Sequence, residues 1–161
     1  MVCGFTGHRP QRLPWGFDEA DPRCVALKTR IAQEVASLAT AGVTTFVCGM
    51  ALGCDFYFAE AVLRLGESRP DIRLIGALPC PQQHRSWDED SQGRYIHLCS
   101  RCYHLEMVSD HYSPHCMNWR NRWIAEQSDY MLTVFDGGGG GTSNAVGHAQ
   151  AQGVTVIPLW L

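Results

Sequence analysis

Tyr130-Met131-Leu132-Thr133-Val134-Phe135-Asp136-Gly137-Gly138-Gly139-Gly140-Gly141-Thr142-Ser143-Asn144 is the stretch whose reading decides the fold. Tyr130 to Phe135 is a near-continuous apolar run, the pattern of a strand buried on both faces. Ser143 to Gln152 reads as a short helix. Between them lie five consecutive glycines. Without Cβ atoms the backbone can take positive φ and turn its N–H groups inward on an anion. The helix start that follows adds its own partial positive charge. A glycine run can also be a floppy linker. Its place between a strand and a helix of a compact chain argues for an anion cradle instead.

Outward from this stretch, strand and helix signals alternate. Val2 to Thr6, Val43 to Cys48, Ile72 to Leu78, Tyr103 to Val108 and Val154 to Leu159 read as further strands. Pro22 to Ala41, Cys54 to Leu65, Ser91 to Cys102 and His115 to Gln127 read as further helices. Asp21 before Pro22 fits an N-cap with proline at the first helical position. Gly42 sits where helices commonly stop. Strands alternating with helices of this length predict an α/β fold. The expected architecture is a Rossmann-like, open, doubly wound, mostly parallel sheet of five or six strands with helices on both faces, one domain over 1–161. In such sheets ligands bind beyond the carboxyl ends of the strands, where the strand order reverses.

The composition is that of an ordinary globular protein, 45% hydrophobic and 18% charged. No apolar stretch approaches the roughly 20 residues of a membrane span. Met1-Val2-Cys3-Gly4-Phe5 has no signal-peptide pattern, so a reduced, cytoplasmic setting is expected for the eight cysteines. Cys3, Cys24, Cys48 and Cys80 fall in or beside elements and read as small core hydrophobes.

Four loops following strands are expected to share one sheet edge. They are Thr6-Gly7-His8-Arg9-Pro10, Gly49-Met50-Ala51-Leu52-Gly53-Cys54-Asp55, Pro79-Cys80-Pro81-Gln82-Gln83, and Asp136 with the glycine run. Arg9, held between Gly7 and Pro10, suits bidentate anion binding. Thr6 and His8 can bond phosphate, with a purely structural hydrogen bond the equal alternative for His8. Gly49 and Gly53 permit a tight turn. Asp55 either caps the next helix or accepts from a ligand hydroxyl. Gln83 adds an amide. Arg120 and Asn121 belong either to the site or to a charged surface turn. Trp87 is the tryptophan best placed to stack on a ligand; Trp15, Trp119 and Trp123 read as core or lid residues.

Together these motifs resemble the YpsA-like family of the SLOG superfamily, which groups the DNA-processing A (Smf) proteins with the Lonely Guy phosphoribohydrolases. Gly4-Phe5-Thr6-Gly7-His8-Arg9-Pro10 is similar to the opening motif of the YpsA-like proteins. Gly49 to Asp55 resembles a loop shared with the DNA-processing proteins. Arg120-Asn121, Ser128-Asp129, and Asp136 with Gly140-Gly141-Thr142 follow in the family's order. The resemblance implies a Rossmann-like fold and a nucleotide-derived ligand, with no agreed activity for this branch. One position departs: the Lonely Guy enzymes carry a catalytic glutamate where this chain has Ala145.

The leading expectation is a nucleotide or nucleotide-derivative binding or sensing module, with an ADP-ribose-like molecule among the ligands considered. Phosphate would rest on Gly138, Gly139, Gly140, Gly141 and Thr142, aided by Arg9 and Thr6, with Asp55 or Asn144 near a ribose. A second reading is an N-glycosidase or phosphoribohydrolase, for which Asp55 and Asp136 are the candidate carboxylates. Single-stranded DNA binding needs a basic groove. Thirteen Lys plus Arg against sixteen Asp plus Glu, with Lys28 the sole lysine, argue against it. Cys99 and Cys102 have zinc-knuckle spacing, but a lone pair on a helix is equally two cysteines on one face. A homo-oligomer is left open.

Overall fold

The computed structural model describes residues 1–161. Six strands form one all-parallel sheet: β1 (Val2–Gly7), β2 (Thr45–Cys48), β3 (Arg73–Leu78), β4 (His104–Met107), β5 (Tyr130–Phe135) and β6 (Thr155–Trp160). Five α-helices alternate with them: α1 (Pro22–Thr40), α2 (Cys54–Gly66), α3 (Glu89–Ser100), α4 (Cys116–Gln127) and α5 (Gly141–Ala151). The sheet order is β4-β3-β2-β1-β5-β6. The expected Rossmann-like α/β architecture is therefore the one observed, with every strand pair parallel.

Local chemistry accounts for the element boundaries. The Asp21 carboxylate accepts from Arg23 N at 2.8 Å, and Pro22 begins α1, as the sequence predicts. Helix α3 starts earlier than predicted because Asp88 caps it, accepting from Ser91 N at 2.9 Å. Helix α5 starts at Gly141, two residues before the Ser143 of its sequence pattern, so the last glycine of the run is already helical. Strand β2 is shorter than its apolar pattern, because Val43 N bonds back to Leu38 O and closes α1.

Helices α1, α2 and α3 pack on one face of the sheet; α4 and α5 pack on the other. The first layer holds the larger core, 27 buried residues against seven in the second. Phe5 of β1 and Phe58 of α2 stack at its centre with ring centroids 4.3 Å apart. None of the helices is long and apolar enough to cross a membrane.

From β1 the chain winds outward through β2 and β3 to β4. It then crosses back to place β5 and β6 on the other side of β1. The order reverses between β1 and β5, so their carboxyl ends frame a crevice that no connecting segment fills. The His8–Arg9 loop after β1 and the start of α5 after β5 reach it from its two sides.

Candidate functional site

The crevice is a cavity of about 250 Å³ at the carboxyl ends of β1, β2 and β5. The β1 loop contributes Thr6, Gly7, His8 and Arg9, together with Gln11 and Arg12. Gly49, Ala51 and Asp55 come from the β2 loop and the start of α2. Helix α4 supplies Met117, Arg120 and Asn121, and Gly141 and Thr142 at the start of α5 close it. Ten of these were predicted from sequence: Thr6, Gly7, His8, Arg9, Gly49, Asp55, Arg120, Asn121, Gly141 and Thr142.

Backbone pairing holds the β1 loop. His8 N donates to Val134 O at 3.2 Å, extending the β1–β5 ladder by one residue, and Cys54 N donates to His8 O at 3.2 Å. His8 is 3% exposed, and both ring nitrogens have partners. Nε2 lies 3.1 Å from Asp136 Oδ1 and 3.0 Å from Asp136 N; Nδ1 lies 3.4 Å from Thr142 Oγ1. His8 therefore has the structural role, joining β1, β5 and α5, and it also borders the cavity.

On the opposite wall Arg120 is buried, and its Nη1 donates to Gly49 O at 2.7 Å while Nε donates to Asn121 Oδ1 at 3.0 Å. Burial holds this guanidinium below the usual arginine range, and the nearby Asp55 opposes that. Asp55 is not the cap of α2; Gly53 occupies that position, and the Asp55 carboxylate reaches back to accept from Ala51 N at 3.0 Å. Burial pushes the Asp55 carboxyl up; the Arg120 charge and hydrogen bonds from Ala51 and Gly49 pull the other way. Asp55 thus braces the β2 loop and remains the one carboxylate lining the cavity. In the same loop Met50 takes φ +54, an uncommon conformation for a residue with a side chain.

The glycine run curls around an arginine that sequence reasoning passed over. Pro10–Arg12 forms a single turn of 3-10 helix. It carries the Arg12 guanidinium into the run, where Nη1 donates to Gly139 O and Nη2 lies 3.3 Å from Asp136 Oδ1. A Cβ at Gly138 would stand 2.5 Å from Arg12 Nη2, so a side chain there must displace the end of that arginine, and Gly140 has φ +125, a conformation that favours glycine. Asp136 also accepts from Gly138 N at 2.9 Å; this bond, with His8 and Arg12, holds its carboxyl below the usual range. The signal that could have found Arg12 was Pro10, a residue suited to the first position of a helical turn.

Several predicted site residues lie behind the cavity rather than on it. Gln83 is buried, and its amide donates to Gly49 O at 3.1 Å, so it supports the β2 loop from below. Gly53, with φ +87, packs within 2.8 Å of His8 O if given a Cβ; it is a close-approach residue. Asn144 accepts from Asn121 Nδ2 at 3.2 Å and links α5 to α4. Asp136, Gly138, Gly139 and Gly140 form the outer curl around Arg12. Trp87 is not a ligand platform, because it packs edge-on against Phe56 and Tyr95. Cys99 and Cys102 are half-buried, and no third His, Cys, Asp or Glu joins them to form a metal-ligand group.

A family model described as the YspA SLOG family matches residues 3–153. This chain belongs to the YspA SLOG family. It is 25% identical over 137 residues to UPF0398 proteins of Bacillus thuringiensis (strain Al Hakam) and Bacillus cereus (strain AH187), covering 84% of this chain and 74% of each relative. Among solved structures it is similar to DNA processing protein A from Helicobacter pylori, which is described by its single-stranded DNA binding mode. The TM-score is 0.65 at 18% identity, over 98% of this chain and 64% of that one, a likeness of fold. The family's motifs converge on the cavity: the Thr6–Arg9 stretch, Gly49, Arg120-Asn121 and Thr142 all border it.

Proposed function

We propose that this chain binds the phosphate of a nucleotide or nucleotide derivative in the β1–β5 crevice and serves as a binding or sensing module. The observation that carries the reading is the start of α5. The N–H groups of Gly141 and Thr142 have no backbone acceptor, and both residues border a cavity that also receives Arg9 and Arg12. Arg9 has no carboxylate partner, only a 3.7 Å contact from Nη2 to Met117 Sδ, so its charge is available to an anion. Titration calorimetry against a panel of nucleotides and ADP-ribose tests this. Saturable binding that weakens in Arg9→Ala is the expected result; silence across the panel with folded protein would overturn the reading.

Asp55 supports a second reading, hydrolysis of a nucleotide N-glycosidic bond. A carboxyl pushed up by burial on the cavity wall is the kind of group such chemistry employs as an acid or base. Against it stands Ala145, a buried alanine where the resemblance to phosphoribohydrolases would place their glutamate. Release of free base from nucleoside monophosphates, abolished in Asp55→Asn, is the assay that separates hydrolysis from binding alone. Single-stranded DNA, the ligand of the Helicobacter pylori protein, would contact Arg9 and Arg12 at the cavity rim. On a chain of net charge −3 this predicts only salt-sensitive retardation in a low-salt gel shift.

A further inference from the structure

We infer that the cavity takes the sugar-phosphate part of its ligand and leaves the base unread, so that the ligand class is a pentose phosphate or the phosphoribosyl end of any nucleotide. The inference rests on the phosphate reading above and deepens it. Three observations carry it: size, the absence of a stacking platform, and the character of the polar groups.

The cavity is about 250 Å³. Pockets that engulf whole cofactors or drug-sized ligands run from about 300 to 1,000 Å³. Space of this size suits a phosphate with a five-carbon sugar better than a complete nucleotide.

Proteins that read or hold a base place an aromatic face against it. Here no free aromatic face borders the cavity. Phe5 lines the cavity but is 1% exposed and stacked on Phe58. Trp15 Nε1 bonds the Tyr57 hydroxyl at 3.4 Å inside the first core layer. Trp87 is enclosed by Phe56 and Tyr95, and Trp160 stacks on Phe135 at 5.0 Å. Trp123 packs into the second core layer, and Trp119 lies against His115. The mouth offers Arg9, whose guanidinium plane accepts any base alike and so confers no choice among them.

The polar lining matches a sugar phosphate. The N–H groups of Gly141 and Thr142 and the Arg9 guanidinium border the space an anion would take, and Arg12 borders it while bonded to Gly139 and Asp136. At the floor the Asp55 carboxylate keeps lone pairs beyond those engaged by Ala51 and Gly49, which fits it to accept from sugar hydroxyls. Asn121 is engaged by Arg120, Gly141 and Asn144 and Gln83 by Gly49, which leaves the exposed Gln11 at the mouth as the one free amide on the lining.

The experiment is calorimetry with ribose 5-phosphate, AMP, GMP, CMP, UMP, adenosine and inorganic phosphate on the full chain. The expected result is that no mononucleotide binds more than tenfold tighter than ribose 5-phosphate, that inorganic phosphate is weaker than both, and that adenosine is silent. Arg12→Ala should weaken ribose 5-phosphate and AMP by the same factor. A stacked base contributes about tenfold or more. A mononucleotide exceeding ribose 5-phosphate by more than tenfold would therefore overturn the inference while leaving the phosphate site standing. Adenosine binding, or unequal losses in Arg12→Ala, would do the same. Inorganic phosphate equal to ribose 5-phosphate would remove the sugar from the ligand class. Silence from every phosphate compound would overturn both the inference and the reading beneath it.

Discussion

At Gly49 an added Cβ would lie 2.1 Å from Arg120 Nη1, the atom that donates to the Gly49 carbonyl. Alanine there must expel a buried guanidinium, and expelling one partner of a buried charged contact costs about 3 kcal/mol or more. At about 2–4 °C per kcal/mol for a chain of this size, Gly49→Ala should melt roughly 6–12 °C lower. Because the cost arises from one clash, it should vanish when Arg120 is already Met. The double variant Gly49→Ala/Arg120→Met should be no less stable than Arg120→Met alone, and additive losses in chemical denaturation would contradict this. Asp136 makes a different prediction. Its carboxyl is held below the ordinary value near 3.8, chiefly by Gly138 N–H and further by His8 and Arg12. A depressed folded-state value means the unfolded chain binds the proton first as pH falls. The contribution of Asp136 is therefore present above about pH 4 and lost progressively below it. Asp136→Asn should be less stable at neutral pH and should flatten the acid limb of a stability–pH curve; an unchanged limb would remove Asp136 from the loop's support.

Among the elements, α3 is held by charge as much as by apolar contact. Arg94 donates Nε to Glu60 of α2 at 2.8 Å and Nη1 to Glu19 of the segment before α1 at 2.6 Å, and Lys28 of α1 reaches Glu19 at 2.6 Å. Its guanidinium also lies 5.2 Å from the Phe56 ring centroid. The side chains in this network are about a third exposed, so its worth lies between the surface and buried limits, about 1–2 kcal/mol. Arg94→Met, which keeps the stem's packing, should lower the melting temperature by roughly 2–8 °C and do so less in high salt. A loss insensitive to salt would assign the effect to packing. At this scale the sequence was most readable where apolar periodicity and caps agreed, as in β5 and in α1 behind Asp21-Pro22. It was least readable where a tertiary contact decided the outcome. The Pro10–Arg12 turn is too short for any periodicity, and nothing local to Arg12 announces a glycine loop more than a hundred residues away. Gln83 and Asn144 were selected for the right edge of the sheet, yet burial turned Gln83 beneath the β2 loop and Asn121 drew Asn144 aside. Met117 could have been found, since it precedes Arg120 by one turn on the same face of α4.

For the molecule as a whole, the site joins its two halves. Thr6 to Arg12 and Gly49 to Asp55 belong to the side of the sheet that winds toward β4, and Gly141 and Thr142 belong to the side that winds toward β6. Arg120 comes from the helix that crosses between them. A ligand seated in the crevice contacts segments from both, and none of these is assembled in the unfolded chain. Such a ligand stabilises the native state alone, by about 2.7 kcal/mol at a free concentration one hundred times its dissociation constant. At about 2–4 °C per kcal/mol, saturating ribose 5-phosphate should raise the melting temperature by roughly 5–11 °C. The rise should grow with the logarithm of ligand concentration, because the linkage is logarithmic. Hydrogen exchange should slow together in the three stretches 6–12, 49–55 and 137–144, since one ligand bridges them. Protection confined to 137–144 would mean that the anion rests on the glycine loop without engaging the β1 and β2 loops, and would place the ligand outside the crevice that the strand order creates.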